Sequence, residues 1–198
     1  MNETKQKRIQ ETLQSKTVGI AGAGGLGSNA AIALVRAGVG KIIIVDFDVV
    51  EQSNLSRQYY FLDQIGAKKV FTLKKNIHRI YPNTQVEAIE LTLEKGRMHE
   101  PFLSSDVIIE ALDDAQTKTN FIEDIQVHLP NTPLVAASGV AGYGHSDRIE
   151  TKRLDNLYIC YDEQAESSEN DVLLAPKVCL MANWQANIAL ELLLGEDE

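Results

Sequence analysis

The residues of this chain with the most obvious chemical use lie between Val18 and Asp113. A β-branched run, Thr17-Val18-Gly19-Ile20, leads into Gly22-Ala23-Gly24-Gly25-Leu26-Gly27-Ser28. Gly22, Gly24 and Gly27 satisfy a G-x-G-x-x-G spacing between a strand and a helix, the context in which such a loop receives phosphate on free backbone N–H groups. Gly25 falls within the same loop. A second apolar strand, Ile42 to Val45, ends in Asp46-Phe47-Asp48. An acid at that point can accept hydrogen bonds from ribose hydroxyls. Asn54-Leu55-Ser56-Arg57-Gln58 and then Lys69 add amide and cationic groups, and Asp113 follows a further strand. Fixed cations suit a polyphosphate, and a carboxylate suits a hard divalent cation. Asp113 and Asp114 are adjacent, and acids at a strand end equally suit capping the next helix; Lys68 is the neighbour that could replace Lys69 on a one-residue shift.

These residues need a frame. Strands are expected at Thr17–Ala21, Lys41–Val45, Gln85–Leu91, Val107–Leu112 and Leu134–Ser138, with a strand and turn over Tyr143–Thr151. Helices are expected at Lys5–Leu13, Gly25–Ala37, Gln64–Tyr81, Ala115–His128 and Ala175–Leu194. Strands alternating with helices predict an α/β fold: a doubly wound, mostly parallel sheet, Rossmann-like, with a small antiparallel extension. The 198 residues fit a single domain over 1–198. The net charge of −9 argues against a nucleic-acid partner. No membrane-length apolar run or secretory segment is evident, so a cytoplasmic protein with no membrane contact is the expectation.

The glycine loop, the block Asp46-x-Asp48-x-Val50-Glu51-x-Ser53-Asn54-Leu55-x-Arg57-Gln58, then Gly66-Ala67-Lys68-Lys69 and Asp113 together resemble the ThiF/MoeB adenylyltransferase family, bacterial relatives of the ubiquitin-activating enzymes. The Asp-x-Asp block is the specific part. The Cys160-Tyr161-Asp162 segment, Leu174-Ala175-Pro176 and the compact length look most like a short ThiF variant. The resemblance implies ATP and Mg2+ as cofactors. It implies adenylylation of the C-terminal Gly-Gly carboxylate of a small ubiquitin-like sulfur carrier, ThiS of thiamine biosynthesis in the first place, with release of pyrophosphate. By the same resemblance Asp46 holds ribose, and Asn54, Arg57 and Lys69 contact phosphates. Asp48 and Gln58 belong to the nucleotide site, Asp113 binds Mg2+, and residues 162–174 form a mobile crossover loop over the carrier's tail. A homodimer is implied, with Arg8 as the candidate to reach a partner's site.

Departures from the family pattern are equally specific. The paired Cys-x-x-Cys motifs of many relatives are absent, so no zinc is expected. Cys160, ahead of an acidic stretch, is the candidate for a covalent or thiol role, whereas Cys179 reads as a core residue. Lys118 stands where relatives often have arginine. The four histidines show no metal-ligand spacing and read as surface or capping residues. Trp184 and Gln185 read as packing or dimer contacts. Two other functions stay open: an NAD-dependent oxidoreductase, which would use the loop and Asp46 but not Arg57, Lys69 or Asp113, and a non-catalytic carrier-binding subunit.

Overall fold

The computed structural model describes residues 3–165 and 171–195. The elements are α1 (Glu3–Gln14), β1 (Thr17–Ala21), α2 (Gly25–Ala37), β2 (Lys41–Asp46), α3 (Lys69–His78), β3 (Gln85–Glu90), β4 (Val107–Glu110), α4 (Ala115–His128), β5 (Leu134–Ser138), β6 (Glu150–Leu154), β7 (Leu157–Tyr161) and α5 (Ala175–Leu194). The seven strands form one sheet in the order β3-β2-β1-β4-β5-β7-β6. Every neighbouring pair is parallel except β6–β7, the antiparallel extension.

The central strands are apolar throughout because helices cover both faces. Alternate residues of β2 point to opposite sides. Ile42 and Ile44 join Val18, Ile20, Leu34 and Met181 in one core, whereas Ile43 and Val45 join Phe102, Phe121 and Ile125 in the other. On the first face α2 packs chiefly against α5. Gly38 ends α2 in the left-handed conformation (φ 107), where its N–H caps the carbonyls of Leu34 and Val35.

Two elements differ from the sequence expectation. The helix expected at Gln64–Tyr81 begins only at Lys69. Gly66 is left-handed (φ 85), which breaks the helical run and leaves Leu62–Gln64 as a separate 3-10 turn. The strand expected within Tyr143–Thr151 begins at Glu150, and β7 is a strand beyond those expected. The apolar Leu157-Tyr158-Ile159-Cys160 run is an interior strand, hydrogen-bonded to β5 on one side and β6 on the other.

Candidate functional site

The strand order switches sides at β1. From β1 the sheet grows outward through β2 and β3, then returns to place β4 on the other side of β1. In an open α/β sheet the crevice at the carboxyl ends of such strands is where ligands bind. A cleft of about 720 Å³ lies there, lined by the glycine loop and by residues that follow β2, β4 and β5.

The loop is held by contacts that few side chains would permit. Gly22 has φ 98, and a Cβ on it would lie 2.5 Å from the carbonyl oxygen of Ala111. A Cβ on Gly27 would lie 1.9 Å from the carbonyl oxygen of Gly22, so the first turn of α2 presses directly on the strand end. Gly24 caps α2 without a side-chain acceptor. The first N–H groups of the helix are therefore available to an anion in the cleft.

Asp46 clasps this loop. Its Oδ2 accepts from the Ala23 N–H at 2.6 Å and its Oδ1 from the Asp48 N–H at 2.7 Å. Each oxygen retains a second lone pair, and Asp46 lines the cleft. Tyr60, which sequence reasoning missed, donates its hydroxyl to the Ala23 carbonyl at 2.8 Å. Burial first, then Asp46 and Asp48, push its phenol far above the usual range, so it is a neutral donor.

The cations enter from the segments after β2. Lys69 is buried at 5% exposure, lines the cleft, and pairs with Asp48 Oδ2 at 2.7 Å. Lys68 turns away to Glu90 at 2.7 Å, which separates the two neighbours. Arg57 is half-buried on the cleft wall and donates from Nη1 to the Ser53 carbonyl at 3.1 Å. Asn29 on α2 fixes the Arg57 backbone, donating to its carbonyl at 2.9 Å, and Ser28 Oγ accepts the Tyr59 N–H at 3.0 Å. Gln58 also lines the cleft, and its buried Oε1 has no hydrogen-bond partner among the described residues. A buried acceptor without a donor is costly, so a donor on a bound molecule would improve this site.

Asn54 is not brought to the cleft. It is buried at 8% exposure, and its Oδ1 accepts the Glu51 N–H at 3.0 Å, capping a 3-10 turn over Gln52–Ser56. That turn sets the position of Arg57, so Asn54 acts on the cleft through its neighbour in this conformation.

The adjacent acids after β4 divide their work. Asp114 caps α4, accepting from the Thr117 N–H at 2.6 Å and the Thr117 Oγ1 at 2.7 Å, which holds its carboxyl below the usual range. Asp113 is exposed on the cleft and makes no hydrogen bond to the described residues. A free carboxylate beside a phosphate-binding loop fits a hard divalent cation. Behind it lies an ion pair that the sequence reading did not find. Glu110 is fully buried, and its carboxylate accepts from Lys118 Nζ and from the Leu112 N–H. Burial raises its pKa, and Lys118 opposes that shift. Lys118 also donates to the Ala137 carbonyl at 3.1 Å, tying α4 to β5 across the cleft floor. Gln185 bridges the carbonyls of Glu110 and Val135 from α5. The available signal was a single acid closing the apolar run Val107-Ile108-Ile109-Glu110.

The cysteine expectations are reversed. Cys160 is 0% exposed on β7, and burial pushes its thiol up to about 12, which removes the basis for a thiolate role. Cys179, expected in the core, is half-exposed on α5. Iodoacetamide at pH 8 is therefore expected to label Cys179 in the native protein and Cys160 only after unfolding, read by peptide mass spectrometry. Native labelling of Cys160 would contradict this placement.

The crossover segment expected at 162–174 is described at its two ends, and residues 166–170 lie outside the described residues. Asp162 forms a buried ion pair with Lys177 at 2.8 Å. The Gly142 N–H donates to the Val172 carbonyl at 2.8 Å. Leu173 and Val178 complete the cleft wall. Arg8 is exposed on α1 and does not line this chain's cleft.

With this geometry established, the family match is decisive: the ThiF family model covers residues 1–198. The chain belongs to the ThiF family. Among curated relatives of this ThiF-family chain, the Escherichia coli (strain K12) sulfur carrier protein ThiS adenylyltransferase is 31% identical over 192 residues, covering 94% of this chain and 75% of that protein. The Haloferax volcanii SAMP-activating enzyme E1 is 38% identical over 110 residues, 55% of this chain and 41% of the other. The chain spans about half the length of several curated relatives that it matches. The crystal structure of E. coli tRNA N6-threonylcarbamoyladenosine dehydratase in complex with AMP superposes with a TM-score of 0.85 at 19% identity, covering 94% of this chain and 89% of that one, a likeness of fold. Among the described residues no helix is long and apolar enough to cross a membrane.

Proposed function

We propose that this ThiF-family chain adenylylates the C-terminal glycine carboxylate of a small ubiquitin-like sulfur carrier, with ThiS as first candidate, using ATP in the cleft described above. One observation carries the reading: Arg57 and Lys69 line the same cleft as the glycine loop and the unpaired carboxylate of Asp113. A hydride-transfer site would have no use for that charge arrangement.

The carrier's carboxylate is already ionised near neutral pH, so the step needs no general base. Its oxygen forms a bond to the α-phosphorus of ATP while the bond from that phosphorus to the bridging oxygen breaks. The electron pair of the broken bond leaves on pyrophosphate. Two anions must approach, and negative charge grows on the leaving group. Arg57 offers two parallel N–H donors and Lys69 a point charge, so both oppose the repulsion without reorganising during the reaction. Asp46 orients the ribose through the lone pairs that its amide contacts leave free. Asp113 would hold Mg2+, which when bound supplies further neutralisation of phosphate charge. The α2 N-terminus and Gln58 complete the nucleotide's contacts.

The proposal includes a homodimer in the cytoplasm, with Arg8 of each chain serving its partner's cleft. The test is exchange of labelled pyrophosphate into ATP, with a panel of purified Gly-Gly-ended carriers that includes ThiS and the molybdopterin-pathway carrier. Carrier-dependent exchange supports the reading, and the fastest carrier names the substrate. Binding of a carrier with no exchange would make the chain a carrier-binding subunit. Thermal stabilisation by NAD and not by ATP with Mg2+ would overturn the assignment.

A further inference from the structure

We propose that His99, Asp124 and His128 form a binding site for a divalent transition-metal cation of the zinc class, separate from the nucleotide cleft. Asp124 and His128 sit one turn apart on α4, and His99 comes from 25 residues earlier. They meet because the segment joining β3 to β4 folds over the last turn of α4. His99 Nδ1 lies 2.9 Å from Asp124 Oδ2, and His128 Nδ1 lies 3.2 Å from Asp124 Oδ1. The three donor atoms all fall within 4.8 Å of one another. The expected surface or capping role describes His128, which is exposed and meets the Asp124 carbonyl, but His99 is drawn onto the Asp124 carboxylate.

The arrangement exceeds what a cap requires. The His99 N–H donates to Asp124 Oδ2 at 2.9 Å, and that bond alone would fasten the segment to α4. Asp124 is nevertheless 6% exposed and gives each carboxylate oxygen an imidazole as well. The rings are stacked, with centroids 4.0 Å apart and planes within 5°. His99 directs its Nδ1 at the carboxylate, whereas His128 shares its Nδ1 between the Asp124 backbone carbonyl at 3.0 Å and the carboxylate at 3.2 Å. Burial would raise the Asp124 carboxyl, and the bonds from His99 outweigh it, so the group is held below its ordinary value as an anion. The neighbouring Glu100 is occupied by Arg97 through two bonds of 2.9 and 3.0 Å.

Two imidazole nitrogens and one carboxylate oxygen are the donor set of Zn2+, Co2+ and Ni2+, whereas Mg2+ favours oxygen alone. An ion takes the place of the Nδ1 protons. It must lie near both ring planes, so one ring has to leave the stack. His128 can do this, since its side chain is 42% exposed on the last turn of the helix, whereas His99 is 16% exposed and anchored by its own backbone. Three protein ligands leave a tetrahedral ion one position for water. Along α4 the helical rise puts Asp124 about 15 Å and His128 about 20 Å from Asp114, and none of the three ligands lines the cleft. An ion here would pin the β3–β4 connection to α4, above the edge-to-face pair of Phe102 and Phe121.

The test uses the whole chain, freed of metal by chelation and held in excess Mg2+ to occupy oxygen sites. Zn2+ is titrated by calorimetry and Co2+ by its visible absorption. The expected result is a single ion per chain, a Co2+ spectrum of low coordination number, and a Zn2+-dependent rise in Tm of roughly 3 °C. His128→Ala is expected to weaken binding at least about tenfold and abolish the Tm rise. His128→Gln, which keeps a polar contact to Asp124, should do the same, and His145→Ala should change nothing. Absence of saturable binding at concentrations on the order of 1 mM, or binding that survives both His128 variants, overturns the proposal.

Discussion

Arg57→Ala is expected to slow carrier-dependent pyrophosphate exchange by about 10²- to 10³-fold, the usual loss when one preorganised donor is removed from a developing charge. The fold should persist. The Arg57 side chain is half-buried, and its one strong contact is to the Ser53 carbonyl within the same turn. The backbone anchor from Asn29 Nδ2 does not depend on the side chain. On the proposed mechanism the guanidinium acts on charge that grows as pyrophosphate departs, so the loss should fall mainly on kcat. Arg57→Lys restores a positive charge but not the two-pronged geometry, so it should recover only part of the rate. The matching change, Lys69→Met, leaves Asp48 without its cation, yet the Asp48 side chain is 43% exposed and water can serve it. That variant should therefore also fold and be slow. Unchanged exchange in Arg57→Ala, measured beside an unaltered circular dichroism spectrum, would remove Arg57 from the site.

The sequence displayed this site well because its residues sit at strand ends. A strand end fixes where the next residue goes, so Gly22, Asp46 and Asp113 could be placed by counting from β1, β2 and β4. The antiparallel extension was also expected, but not the correct strand: the Leu157–Tyr161 run carries apolar residues at every position, which gives no alternation to mark it as a strand beside a hairpin. The thiol role expected for Cys160 fails for the same reason, since its burial depends on β7 lying between β5 and β6. Asn54 shows a different limit. Its family position points to phosphate, but its side chain closes the turn that carries Arg57. The contacts least legible in the sequence join residues of different elements. Glu110 with Lys118, Tyr60 with Ala23, and the approach of His99 to Asp124 all depend on tertiary packing that no local spacing encodes. Lys177 with Asp162 belongs with them.

Lys177→Met is expected to destabilise the fold by about 3–5 kcal/mol at pH 7, the range seen when one partner of a buried ion pair is lost. Both side chains are nearly inaccessible, 6% exposed for Lys177 and 2% for Asp162. Burial alone would raise the Asp162 carboxyl; the hydrogen bond from Lys177, aided by the Gln164 N–H, outweighs it and holds the group below its ordinary value. A folded pKa below the unfolded one, about 3.9 for Asp, contributes stability above that value, and the contribution is lost as pH falls through the folded pKa. In Lys177→Met the sign inverts. Burial then dominates, the folded carboxyl rises above the unfolded value, and the penalty is full at neutral pH but disappears once acid neutralises the group. The stability gap between native protein and variant should therefore narrow from pH 7 to pH 4, as measured by urea unfolding at each pH. A gap of equal size at both would mean that Lys177 stabilises through its methylene packing and not through charge. The functional consequence follows from position. Asp162 opens the segment that returns at Leu173 and Val178 to close the cleft, so a chain that loses this anchor should bind ATP more weakly even where it remains folded.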